Sequence, residues 1–229
     1  MEITWHGHSC FSVKAEGKHI LIDPFLSGNP VNNRELTDVC EGITHLLITH
    51  GHEDHVGDSV QIAKDYDCQV VGIVELCSWL AFQGVENLTA LNKGGTADVA
   101  GISVTMVNAL HTSGMTGKDG PVYLGEPAGF IFEIAGEKIW HMGDTDVFSD
   151  MARIQKLHGP TIAMMPIGDH FTMGPKGAAM ICNEICDFEH IIPMHYGTFG
   201  LLTGTAEDFE AQVTKGKVHS IPVGQTLTL

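Results

Sequence analysis

The segment Ile48-Thr49-His50-Gly51-His52-Glu53-Asp54-His55-Val56-Gly57-Asp58 constrains this chain more than any other. An apolar run, Leu46-Leu47-Ile48, leads straight into three histidines and two carboxylates packed between His50 and Val56. Side chains this polar at the end of a buried strand are costly unless something pairs or coordinates them. Imidazole and carboxylate oxygen are the ligands that zinc, iron and manganese accept, so the spacing His-x-His-x-Asp-His points to a divalent metal. Residues i and i+2 of a strand share a face, and Gly51 at a strand end lets the rings of His50 and His52 converge. Asp54 and His55 are neighbours and reach one site only from irregular backbone, as at a strand-to-helix turn. Four ligands from one stretch would crowd a single ion that also needs an open position. The economical arrangement is two ions, one on His50 and His52, the other on Asp54 and His55, each completed from further along the chain.

Three later residues suit that completion. His111, Asp144 and His195 each follow an apolar run, and each sits beside a glycine or in a turn. The coarse pattern has short strands at 2–5, 10–14 and 19–22, and a Gly-, Asn- and Pro-rich loop over 25–43. A strand over 44–48 delivers the histidine cluster, and a helix over 58–66 follows it. Strands at 69–73, 88–91 and 102–108 come next, with a helix over 75–83. Residues 112–129 read as a glycine-rich loop. A hairpin over 130–141 delivers Gly143-Asp144, and helices at 149–157, 175–186 and 206–213 flank strands at 161–165 and 190–194. Two short strands close the chain. The runs ending at Asp23 and Asp144 echo each other, as do those ending at His50 and His195, which fits two half-domains with a site at their seam. No linker shows a composition shift, so the whole span 1–229 is expected to be one domain.

The order His50-x-His52-x-Asp54-His55, then a later His, then Gly-Asp, then a final His resembles the metallo-β-lactamase-fold hydrolases. Within that superfamily, Trp5-x-Gly7-His8-Ser9, the run from Leu21 to Pro30 and the run from Gly168 to Gly174 resemble a family of metal-dependent hydrolases akin to the ascorbate-6-phosphate lactonases. The resemblance implies an α/β fold of the four-layer αββα sandwich type. It also implies that His50, His52 and His111 hold one ion, that Asp54, His55 and His195 hold the other, and that Asp144 bridges them. Zinc is the expected metal, with manganese, iron and nickel also compatible with the ligand types.

Two ions about 3.5–4 Å apart would share and ionise a water, and the hydroxide would cleave an ester, lactone or phosphoester of a small molecule. Asp54 is expected to serve both as ligand and as acceptor for that water. Asp23, at the end of its own strand, is a candidate to orient a ligand imidazole. His8 is expected beside the site, and His170 is a candidate substrate contact. Alternatives within the same fold are a redox di-iron protein, a degenerate metal-binding protein, and a nuclease or phosphodiesterase. The redox reading ordinarily needs a flavin domain for which the chain has no spare segment. The formal net charge of −16, with 12 Lys and Arg against 28 Asp and Glu, argues against holding nucleic acid.

The six cysteines lack disulfide-scaffold spacing and are expected to be free thiols, Cys182 and Cys186 included. No basic-then-apolar leader or bilayer-length apolar run is present, so the expectation is a cytoplasmic protein with no membrane partner. A small-molecule substrate is the expected partner, and self-association is compatible with the sequence.

Overall fold

The computed structural model describes residues 1–229. Two seven-stranded sheets carry the architecture. The first is built from β1 (Glu2–Trp5), β2 (Phe11–Ala15), β3 (Lys18–Ile22), β4 (His45–Leu47), β5 (Gln69–Ile73) and β6 (Leu88–Leu91). The second begins with β7 (Thr96–Val99) and β8 (Ile102–Asn108). A separate two-stranded hairpin, β9 (Met115–Gly117) and β10 (Gly120–Val122), comes next. The second sheet resumes with β11 (Ala128–Ile134), β12 (Glu137–His141), β13 (Ile162–Pro166), β14 (His190–Met194) and β15 (Lys217–Val218). The last strand, β16 (Thr226–Thr228), returns to pair with β1, so the first sheet holds both ends of the chain.

Side-chain alternation explains how the layers stack. In β11, Phe130 and Phe132 point into the core shared by both sheets, while Ile131 points the other way. In β13, Ile162 and Met164 face the first sheet, and Ala163 and Met165 face helices. Those helices are α5 (Met151–His158), α6 (Pro175–Met180) and α7 (Ala206–Glu210), which contribute Met151, Ala178, Ala179 and Phe209. The first sheet is covered by α1 (Leu36–Cys40), α3 (Ser59–Tyr66) and α4 (Val74–Phe82), through Val39, Ile62, Leu76 and Leu80. A single turn, α2 (Glu53–Val56), lies between β4 and α3. The layers therefore run helix, sheet, sheet, helix, as expected for the αββα sandwich.

Strand direction fixes where the site lies. β1 is antiparallel to β2, β2 to β3, and β3 is parallel to β4, so the C-terminal ends of β1, β3 and β4 share one edge. By the same reasoning β8, β12 and β14 end together in the second sheet. His8, Asp23, the His50 cluster, His111, Asp144 and His195 follow those six strands in that order. Cross-sheet hydrogen bonds bring the two edges together. The Ala128 amide donates to the Thr49 carbonyl at 3.1 Å, and the His195 amide to the His8 carbonyl at 2.9 Å.

Several local expectations differ from the structure. The loop over 112–129 contains the β9–β10 hairpin, whose turn, Lys118-Asp119, is flanked by the paired Gly117 and Gly120. The loop over 25–43 contains α1, and β7 has no counterpart in the sequence reading. The helix expected over 175–186 is α-helical only to Met180, after which residues Ile181–Ile185 form a wider π turn. The Cys186 amide reaches the Ile181 carbonyl at 2.8 Å, an i→i+5 bond that sets both Ile181 and Cys182 into the core. All six cysteines are free and buried. No helix is long and apolar enough to cross a membrane.

The shared core between the sheets is the main source of stability, since large aromatics there bury the most apolar area. Phe130→Ala is expected to destabilise the fold by about 3–5 kcal/mol, read as a lowered denaturant midpoint with unchanged slope. A loss below about 1 kcal/mol would place Phe130 outside the packed core.

Candidate metal centre

Several candidate residues are presented by bent backbone just after a strand, while Asp54 and His55 ride on the turn α2. Asp23, His8 and His195 have positive φ values of 45°, 56° and 55°, a conformation L-residues adopt rarely and at a cost. Gly143 (φ 65°) makes the turn after β12 that presents Asp144, and a Cβ there would sit 2.5 Å from the Ala128 carbonyl oxygen. No other residue type fits that turn.

The side chains converge on Asp144, which is buried. Its Oδ2 lies 3.0 Å from His195 Nε2, 3.3 Å from His55 Nε2, 3.5 Å from His111 Nε2 and 4.0 Å from His50 Nε2. Two groups of potential ligand atoms meet at this carboxylate. One contains His50, His52, His111 and Asp144, and the other contains His8, Asp54, His55 and His195. In the first, His50 Nε2 and His52 Nδ1 are 3.0 Å apart. In the second, Asp54 Oδ1 is 4.0 Å from His55 Nε2. All seven residues expected as ligands are thus within one assembly. His8 stands with the second group as well, beside the expected ligands.

A further layer of hydrogen bonds orients the rings. Asp23 Oδ2 accepts from His55 Nδ1 at 2.8 Å and from the Thr49 hydroxyl at 2.7 Å, while Oδ1 accepts from the Thr49 amide at 2.8 Å. The Thr49 hydroxyl in turn lies 3.0 Å from His50 Nδ1 and can accept its proton. One buried carboxylate therefore directs His55 and, through Thr49, His50, leaving both Nε2 atoms aimed inward. His8 Nε2 donates to Asp54 Oδ2 at 2.9 Å, and Thr198 Oγ1 lies 3.0 Å from His8 Nδ1. Thr49 could have been suspected as the neighbour of His50, whereas nothing in the sequence marked Thr198. His170 is exposed, stacks edge-on against Phe171 with ring centres 4.4 Å apart, and joins neither group.

The donor set suits a cation. His55 Nε2 and Asp144 Oδ1 are buried without a hydrogen-bond partner, an arrangement that leaves coordination capacity at the centre. Burial and the neighbouring His55 hold the His50 imidazole well below its usual range, so the ring is neutral as a ligand must be. Burial likewise lowers His52 and His111, and pushes His8 down to about 4. Burial alone would raise the Asp144 carboxyl, but His195 and His55 beside it outweigh that and keep it ionised. For His55 burial acts downward, and the carboxylates of Asp144, Asp23 and Asp54 overcome it and drive the ring well above its usual range. Three carboxylates around one imidazole concentrate the negative charge that a divalent ion neutralises, with release of the imidazole proton.

Comparison with known proteins agrees with this donor chemistry. A family model described as the Beta-lactamase superfamily domain matches residues 2–195. A curated relative from Chelativorans sp., named UPF0173 metal-dependent hydrolase, is 46% identical over 234 residues, covering 100% of both chains. The chain belongs to this family of metal-dependent hydrolases. Among solved structures the hydrolase is similar to Igni18, described as a novel metallo hydrolase from the archaeon Ignicoccus hospitalis. That pair has a TM-score of 0.88 and 31% identity, covering 99% of this chain and 97% of the other. An isothiocyanate hydrolase from Delia radicum gut bacteria shares the fold at a TM-score of 0.77 and 18% identity, with 100% and 99% coverage.

If Asp23 orients His55 and Thr49 as the distances indicate, Asp23→Asn weakens divalent-metal affinity by about 10–100-fold. Chelator competition on the folded variant reads this directly, and an unchanged affinity would reduce Asp23 to a turn-stabilising residue.

Proposed function

We propose that the hydrolase holds two divalent cations and cleaves an ester, lactone or phosphoester bond of a small molecule. His50, His52 and His111 would hold one cation, and Asp54, His55 and His195 the other. Asp144 would be shared, since its Oδ2 stands within 4.0 Å of ring nitrogens from both groups. That shared position is the observation that carries the proposal. Bound divalent ions supply Lewis acidity and bring the ionisation of water to near-neutral pH.

The protein's own groups account for the remaining steps. Asp23 and Thr49 fix which nitrogen of His55 and His50 faces the centre, so no ring has to rotate during turnover. His8 occupies Asp54 Oδ2, so Oδ1 would serve both as the ligand oxygen and as the group that exchanges a proton with an attacking water and the leaving group. Asp54 is suited to that exchange because its side chain is 29% exposed, at the floor of an open cleft, whereas Asp144 is 2% exposed. The His-rich sets favour zinc, and manganese, iron or nickel fit the same donors.

Metal content of the purified protein should approach two divalent ions per chain, and their removal by chelator should abolish hydrolysis of chromogenic ester, lactone and phosphoester substrates. Re-addition should restore it. Asp54→Asn should lower turnover by on the order of 10²–10⁴-fold with the fold intact by circular dichroism. Stoichiometric metal with no turnover across the panel, or an Asp54→Asn variant within a few-fold of wild type, would overturn the proposal.

A further inference from the structure

The cleft above the centre has a volume of about 640 Å³, the size of a small-molecule site. His52, Glu53 and Asp54 form its floor, and the β9–β10 hairpin with its flanks forms the opposite wall. None of the 12 lysines and arginines lines it. Its formally charged lining groups are Glu53, which is exposed, and Asp54. The remaining wall combines neutral hydroxyls with the apolar surfaces of Met115, Val122 and Tyr123.

The surroundings reinforce this polarity. Behind the wall, the Tyr123 hydroxyl lies 3.4 Å from Glu126 Oε1, a carboxylate outside the cleft lining. Lys93 is engaged by Glu126 at 3.8 Å and by Asn108 Oδ1 at 2.9 Å, and Lys118 projects from the hairpin turn beside Asp119. Sites that take phosphate or carboxylate groups ordinarily meet them with Arg, Lys or backbone amides at a helix N-terminus. Here no cationic side chain lines the cleft, and the one helix that starts at its floor, α2, is a single turn that begins with Glu53 and Asp54.

We infer that the substrate is an uncharged carbonyl compound with a small apolar flank, and that Glu53 turns anionic analogues away. This rests on the hydrolase reading above and narrows it to the ester or lactone branch. The apolar flank lies against Met115, Val122 and Tyr123, and the carbonyl faces the centre. Glu53, on the first turn of α2 beside Asp54, stands where a negative substituent on the substrate would be repelled.

Binding distinguishes this inference from catalysis. The metal-loaded protein is titrated calorimetrically with benzohydroxamic acid and with its para-carboxylate, which share one metal-binding group and differ in the charge of the tail. The neutral probe is expected to bind about tenfold more tightly than the carboxylate at low ionic strength, and the ratio should shrink as salt is added. Glu53→Gln should bring the ratio part of the way to unity, and Glu53→Lys should abolish or invert it. A carboxylate probe that binds as tightly as the neutral one, a ratio unmoved by either Glu53 variant, or failure of both probes to bind would overturn the inference. Turnover is scored separately. The expected binding order without any ester or lactone hydrolysis would remove the hydrolytic reading and leave the charge preference standing. Cleavage of an anionic phosphoester as efficiently as a neutral ester would do the reverse.

Discussion

A single buried carboxylate governs the organisation of this protein. Asp144 Oδ2 stands within 4.0 Å of four imidazole nitrogens, from His50, His55, His111 and His195. Those residues come from both sheets, so the carboxylate can be satisfied only when the sheets are packed in one register. The mixed strand order follows from the same demand. In each sheet antiparallel pairs at one side give way to parallel pairs at the other, so that the strands preceding the ligands all end at one edge. The inter-sheet core, with Phe130 and Phe132 at its centre, provides the burial that makes this alignment favourable.

Rigidity at the centre comes from groups that touch no reacting atom. Asp23 gathers three hydrogen bonds from Thr49 and His55, and His8 is held between Thr198 and Asp54. The His8 carbonyl also accepts both the Trp5 indole N–H and the His195 amide, each at 2.9 Å. These bonds hold the positive-φ residues in place, so the backbone strain is borne by contacts within each half and across the seam. The rings are therefore oriented by bonds to their outward nitrogens and not by a cation alone, which limits the reorganisation that coordination requires.

Much of this was legible in the residues. The spacing from His50 to His55 announces a cation site because no other environment readily tolerates it, and the apolar runs before His111, Asp144 and His195 place each at a strand end. The family resemblance supplied the layering, which the alternation of Ile131 with Phe130 and Phe132 then explains. Other features were hidden for physical reasons. A hairpin as short as β9–β10 leaves only Gly and Pro in the sequence, the same signature as irregular loop. The π turn after Met180 preserves helical spacing until the last few residues. Thr198 matters only because β14 ends beside the β1–β2 turn, a proximity that no local pattern encodes. The echo between the two halves is partial: β3 and β4 are adjacent in the first sheet, whereas β12 and β14 are separated by β13. Asp23 accordingly supports a ligand, while the corresponding Asp144 stands at the centre.

The β9–β10 hairpin belongs to neither large sheet, and its two strands pair only with each other. The donors follow strands tied into fourteen-strand packing, but the wall opposite them is an appendage joined to the core through the half-buried Met115 and Val122 and not through the sheet ladders. Selectivity and reactivity are therefore inherited through different parts of the backbone. Changes at the hairpin tip, beyond the contacts of Ser113 with Gly51 and of Thr112 with His52, alter the entrance without touching the cation cage. Such a division lets one scaffold diversify by exchanging its outermost turn.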